Sequence, residues 1–259
     1  MRMLLVALGL CTVGIGASAC SANSTPARGS TATAARVMKA ALRHGASRPS
    51  LHYVSTSVGN GLTTTIDGDV DQSSGIQTIV VSSQGVKAAI VIELIGHEAY
   101  FRGDAAAIEV LINLTARQST AAAGQWVSVV PADAVYKNTA AALTVGSVIS
   151  EITLSKPITG ERTVVDGGRT VVQISGAWIG EGITAKDHAT AKLEVTRGAG
   201  PLPLQFVGLT PKSASSSRFT ENLVIGRWGE AVHVARPPFS VPLATILKST
   251  TTTTQPVVV

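Results

Sequence analysis

Residues 76–130 read IQTIVVSS (76–83), QGVKAAIVIELI (84–95), GHEAYFRG (96–103), DAAAIEVLINLT (104–115), ARQSTAAA (116–123) and GQWVSVV (124–130). The first three segments are short, rich in Ile and Val, and broken at Gly85 and Gly96, the punctuation of an antiparallel meander. The fourth changes period. Ile108, Leu111, Ile112 and Thr115 recur at i, i+3, i+4 and i+7, while Glu109 and Asn113 point the other way, which predicts a helix with Asp104 as N-cap. A meander that delivers a helix onto one of its own faces starts a sheet with a helical cover.

Working outward, the alternation in Val86–Ile95 places Ala88, Ile90, Ile92 and Leu94 on the covered side and Lys87 and Glu93 on the other. Residues 116–123 extend the helix or form a second short one, ended by Gly124. Trp126 opens a strand stopped by Pro131, and Asp133 is expected to N-cap an Ala-rich helix to Leu143. Residues 147–154 suit helix or strand equally. On the N-terminal side, Ala34–His44 has helical spacing with Gly45 as a stop. Leu51–Val58 and Leu62–Val70 form a hairpin around Gly59-Asn60-Gly61. On the C-terminal side, Glu161–Val165 and Arg169–Ser175 flank Asp166-Gly167-Gly168, and strands are expected at 191–197, 202–209, 219–227 and 231–235. Alternation puts Val172 and Ile174, Leu193 and Val195, and Leu204 and Phe206 on one face, with Lys192, Glu194 and Gln205 on the other. Ten or eleven strands with helices grouped after the fifth make an α+β domain over residues 34–247, built on one large antiparallel sheet.

Residues 1–19 read as a signal peptide, with Arg2, an apolar run from Met3 to Ile15 and small residues at Ala17-Ser18-Ala19. Cys20 follows directly and would be the only thiol of the mature chain, since Cys11 leaves with the signal. Residues 20–33 form a Ser/Thr/Ala-rich tether, and residues 248–259 a low-complexity tail that reads as disordered. The net charge of +5 is spread without a Lys/Arg run, which suits an anionic membrane surface better than nucleic acid. At 4%, aromatic residues are too few for a stacking platform for bases or sugars.

Catalytic and metal patterns fit poorly. Asp67, Asp69 and Asp71 imitate the start of a calcium loop, but Gln72 stands where glycine is needed and Thr78 where the bidentate glutamate belongs. The histidines at 44, 52, 97, 188 and 233 make no HExxH, and Ser175 lacks the nucleophile-elbow pattern. Glu181 and Asp187 read as loop acids, and Trp126 and Trp178 as core anchors. No enzyme, metal or cofactor is expected.

The order of lipobox-like Cys20, tether, helix, meander, Tyr100-Phe101-Arg102, helices, Gly124-x-Trp126-Val127 and the 165–174 hairpin resembles the actinobacterial LppX/LprG-type lipoproteins, within the LolA/LolB-like group of lipid carriers. That resemblance implies a curved half-barrel whose helices cover its concave face, with lipid or glycolipid acyl chains held between them. The implied cavity lining is Ile90, Ile92, Leu94, Ile108, Leu111, Ile112, Val172, Ile174, Leu193, Val195, Leu204 and Phe206. It also implies a place on the outer face of the cytoplasmic membrane. Cys20, directly after the small residues, reads as the lipidated first residue, the alternative being ordinary secretion with Cys20 incidental, and a monomer is expected. The rival expectation is a closed envelope module of the same fold, its core filled, that binds a protein partner or senses envelope state.

Overall fold

The computed structural model describes residues 30–179, 187–211 and 218–251. The signal peptide, Cys20, Glu181 and most of the expected tail lie outside the described residues. Helix α1 (Thr31–Ala46) leads into β1 (Ser50–Gly59), β2 (Leu62–Asp71), β3 (Ser74–Ser83), β4 (Val86–Ile95) and β5 (Glu98–Gly103). Next come α2 (Ala105–Ile112), α3 (Ala116–Ala122), β6 (Val127–Val129), α4 (Tyr136–Thr139) and α5 (Val145–Glu151). The second half is β7 (Ser155–Asp166), β8 (Arg169–Ala177), β9 (Thr190–Thr196), β10 (Pro203–Thr210) and β11 (Phe219–Gly226), closed by β12 (Val241–Pro242) and α6 (Leu243–Thr251).

Among the described residues the twelve strands form one sheet in the order β12-β6-β5-β4-β3-β2-β1-β11-β10-β9-β8-β7, antiparallel throughout except for β12 beside β6. The fold is α+β, an open curved half-barrel with helices on its concave side. Tight turns set the register. Asn60 and Gly61, and Gly167 and Gly168, all have positive φ, as two-residue hairpin turns demand.

Alternation holds across the sheet. Ile90, Ile92 and Leu94 are buried on the concave side, whereas Lys87 is exposed on the convex side. The concave core divides into two clusters. One lies under α1 and α5 and includes Leu51, Tyr53, Val148, Ile152, Trp178, Leu193 and Phe206; the other lies under α2, α3 and α6 and includes Ile92, Phe101, Ile108, Leu143, Leu243 and Ile246. Two glycines let aromatic rings lie flat on this face. A Cβ on Gly68 would come within 2.5 Å of the Tyr53 ring, and one on Gly208 within 2.5 Å of the Trp178 ring.

Several local expectations yield to tertiary contacts. Gly45 does not stop α1. It is buried where Ile149, Pro203 and Trp228 close in, and a Cβ there would sit 3.0 Å from Ile149 Cδ1. Asp104 occupies the N-cap position of α2, but its carboxylate accepts from the Ala89 amide of the next strand at 2.6 Å and does not cap the helix. Asp133 accepts from the Val130 amide at 2.8 Å, and the helix expected to reach Leu143 shrinks to α4. It ends because the carbonyls of Ala141 and Ala142 bond side chains of the sheet, and Ala142 swings to φ 56°. Residues 147–154 resolve as α5 followed by coil, with a Thr144/Ser147 capping box at its start. The strand expected at Ala231–Ala235 is absent, and the last helix runs to Thr251, past Lys248 where the tail is expected to begin.

Candidate functional site

The residues expected to line one cavity are distributed over two clusters of the concave face, and Ile66 packs against both. Ile90, Ile92, Leu94, Ile108, Leu111 and Ile112 fall in the cluster under α2, and Ile174, Leu193, Val195 and Phe206 in the cluster under α1 and α5. These ten are 8% exposed or less. Val172 and Leu204 are half-buried. Leu204 lies at a β-bulge, where Pro203 takes the place opposite Val195.

A polar seam lies on the same face beside the two clusters. The Tyr53 hydroxyl lies 2.6 Å from Gln77 Oε1 and 2.9 Å from the Ala142 carbonyl, and Gln77 Nε2 donates to the Ala141 carbonyl at 3.4 Å. Tyr53 and Gln77 thereby clip the coil between α4 and α5 to the middle of the sheet. Burial, reinforced by the charges of Asp67 and Glu151, pushes the Tyr53 phenol far above its usual range, so it stays a neutral donor. Further along the same face the half-exposed Ser57, Thr64 and Val81 form an open end. There Ser55 donates to Glu221 Oε1 at 3.3 Å; burial raises the Glu221 pKa, Ser55 opposes the shift and the Glu151 charge adds to it.

On the convex side the segment from Arg227 to Ser240 crosses one end of the sheet as an extended strap. Its Gly229 amide donates to the Ser50 carbonyl at 3.0 Å, Arg236 pairs with Glu98 at 2.9 Å, and the Arg236 guanidinium stands 5.8 Å from the centroid of the Tyr100 ring. Tyr100, one of the signature aromatics, is thus buried outside the barrel, while its neighbour Phe101 is buried inside. Opposite Tyr100 stands Glu93, 8% exposed, whose pKa is raised by burial.

A raised carboxyl pKa stabilises the fold fully below the ordinary glutamate value, and that contribution is lost as pH rises through the folded value. Glu93→Gln keeps the shape and removes the ionisation. The variant is expected to be more stable than the parent at pH 7, with the advantage shrinking toward pH 4, near the ordinary glutamate pKa of about 4.3. Denaturant midpoints at the two pH values check this, and a pH-independent difference would contradict it.

The aspartates of the calcium-like run all lie on β2. Asp71 ends that strand and accepts from the Ser73 and Ser74 amides at 2.7 and 2.6 Å. Burial works against its ionisation, but the hydrogen bonds from Ser74 and Ser73 prevail and hold its pKa below the usual range. Asp69 sits 3.0 Å from His52 Nδ1 and 3.1 Å from Arg227 Nη2, an ion-paired surface cluster. Among the described residues no three His, Cys, Asp or Glu side chains are placed to hold a metal ion. No described helix is long and apolar enough to cross a membrane.

A recess of about 680 Å³ lies on the outer face of β7–β10. Its floor follows from register, with Ser175, Lys192 and Val207 in one cross-strand row and Ala177, Thr190 and Leu209 in the next. Trp178 underlies it and is held in the core by Phe206 at 5.5 Å and Phe219 at 6.1 Å between ring centroids. Sequence reasoning missed this recess, although Lys192 was already assigned to the outer face; the apolar Val207 and Leu209 beside it were the available signal.

No family model matches the chain, and no curated protein sequence matches it. Among solved structures, LprF from Mycobacterium bovis is similar over 83% of this chain and 99% of its own, with a TM-score of 0.49 and 14% identity. The Mycobacterium tuberculosis lipoprotein LppX is similar over 80% of this chain and 100% of its own, with a TM-score of 0.45 and 14% identity. LppX gives its name to the group that the sequence order resembles.

Proposed function

We propose that this protein is a lipid-anchored, non-enzymatic carrier of the cell envelope that holds acyl chains of a lipid or glycolipid between the half-barrel and its helices. The anchor would be Cys20, on the outer face of the cytoplasmic membrane. The observation that carries the reading is the make-up of the cover. The apolar wall under α2 and α3 is roofed by two short helices, AAAIEVLI in α2 and the Ala-rich ARQSTAA in α3. Ile108, Leu111 and Ile112 are the large residues that α2 presses into the cluster. Uncovering each costs roughly 1.5–3 kcal/mol, so uncovering all three costs about 4.5–9 kcal/mol, which about six to eleven methylenes would offset at about 0.8 kcal/mol each. A longer acyl chain can therefore displace the roof and take its place on the wall.

One observation favours the closed module instead. The inner side chains are closely packed in two adjoining clusters, and the Tyr53–Gln77 hydrogen bonds hold the coil after α4 down on them. Mass spectrometry of the protein purified from its own membranes tests both readings. The carrier predicts a stoichiometric acyl lipid bound to a chain whose first residue is diacylated Cys20. Acylated protein free of other lipid would favour the closed module. An unmodified Cys20, or a chain that keeps residues 1–19, would overturn the anchor.

A further inference from the structure

We propose that the recess on the outer face of β7–β10 is a second binding site, for a single-chain amphiphile with an anionic head. It is separate from the concave wall, because the sheet lies between them, and it does not depend on the carrier reading.

Three features point to this ligand. The volume of about 680 Å³ is that of a small-molecule site, and its walls are mainly apolar, from Pro157, Ala177, Ile179, Val207 and Leu209. Ile179 and Val207 are 50% and 38% exposed, so this apolar surface is accessible. Lys192 stands between Ser175 and Val207 in the middle of the floor, and Lys156 lines the same recess from β7. Neither lysine has a salt-bridge partner among the described residues.

Arg162 and Glu194 beside the recess are already engaged. A second recess of about 400 Å³ shares Thr159, Ser175 and Lys192 with the first and continues to Glu161, Arg162 and Gln173. There Arg162 Nε donates to Gln173 Oε1 at 2.8 Å, and Gln173 Nε2 donates to Glu194 Oε1 at 2.7 Å. Gln173 thus links that arginine to that glutamate, while the Glu161 carboxylate repels an anion from the far end. An anionic head is directed to Lys156 and Lys192, and its chain to the Ile179, Val207 and Leu209 side. Burial of each methylene there contributes about 0.8 kcal/mol.

Calorimetric titration of the purified protein with monomeric dodecyl phosphate tests this, with dodecylphosphocholine and inorganic phosphate as comparisons. The expected result is binding of dodecyl phosphate that weakens at least tenfold in Lys156→Glu/Lys192→Glu and in Val207→Asp. It should weaken with added salt, be poorer for the zwitterion, and be undetectable for phosphate alone. Made in the Ile92→Trp background, which alters only the inner wall, the same outer variants should still weaken binding at least tenfold. Any one of four results would overturn the proposal. They are no binding, equal affinity in both outer variants, phosphate binding as tightly as dodecyl phosphate, or binding only to anionic phosphatidylglycerol vesicles and not to the monomeric amphiphile. Loss in Ile92→Trp with the outer variants intact would place the amphiphile on the concave wall, which overturns this site and supports the carrier.

Discussion

Phe101→Ala is expected to lower the unfolding free energy by about 3–5 kcal/mol, the range for deleting a fully buried aromatic side chain. Phe101 is 0% exposed, opposite Ile92 across β4 and β5 and in the same cluster as Ile108 and Ile112. The void it leaves is walled by aliphatic groups, and an apolar cavity of that kind stays dry and accepts apolar guests. If acyl chains use this wall, an acyl lipid should raise the unfolding midpoint of the variant more than that of the parent. Denaturant unfolding with and without lipid measures both effects. A loss below about 1 kcal/mol, smaller than a filled aromatic site allows, would mean that the cluster is not packed around Phe101.

The opposite change, at the residue facing it, is the sharper test of function. Ile92 is 2% exposed, so Ile92→Trp inserts bulk where no room exists, and overpacking of this kind costs about 1–3 kcal/mol. The same indole would occupy the wall that an acyl chain must reach once the roof lifts. Loss of acyl binding together with modest destabilisation is expected. Destabilisation with acyl binding intact would show that chains do not use this face, and the carrier reading would fail while the closed module stood.

Much of the architecture is legible in the chain because faces and turns are encoded locally. The two-residue alternation of Val86–Ile95 sorts Ile90, Ile92 and Leu94 from Lys87, and Asn60-Gly61 and Gly167-Gly168 supply the positive φ of the hairpins. The spacing of Ile108, Leu111 and Ile112 likewise marks the buried side of α2, since a helix must turn its apolar stripe to the sheet. Such signals say which face a residue takes but not which neighbours share it.

Tertiary contacts decided the rest. Asp133 and the alanines after it have every local reason to be helical. That helix is cut short by Tyr53 and Gln77, which reach the carbonyls of Ala142 and Ala141 across 89 and 64 residues of chain. The same two side chains tie that coil to the middle of the sheet, an outcome no periodicity records. Residues 231–235 alternate like a strand yet pair with none, because Arg236 is drawn to Glu98 and Tyr100 on the far side of the sheet. The outer recess exists only because register sets Lys192 beside Val207 and Ser175. Alternation and turn chemistry act within a few residues, so they fix the strands of the meander, their inner face and the buried side of α2. Hydrogen bonds and strand register join residues far apart in the chain, so only the folded chain decided where the roof is clipped, how the apolar residues are distributed over two clusters and what the outer face offers.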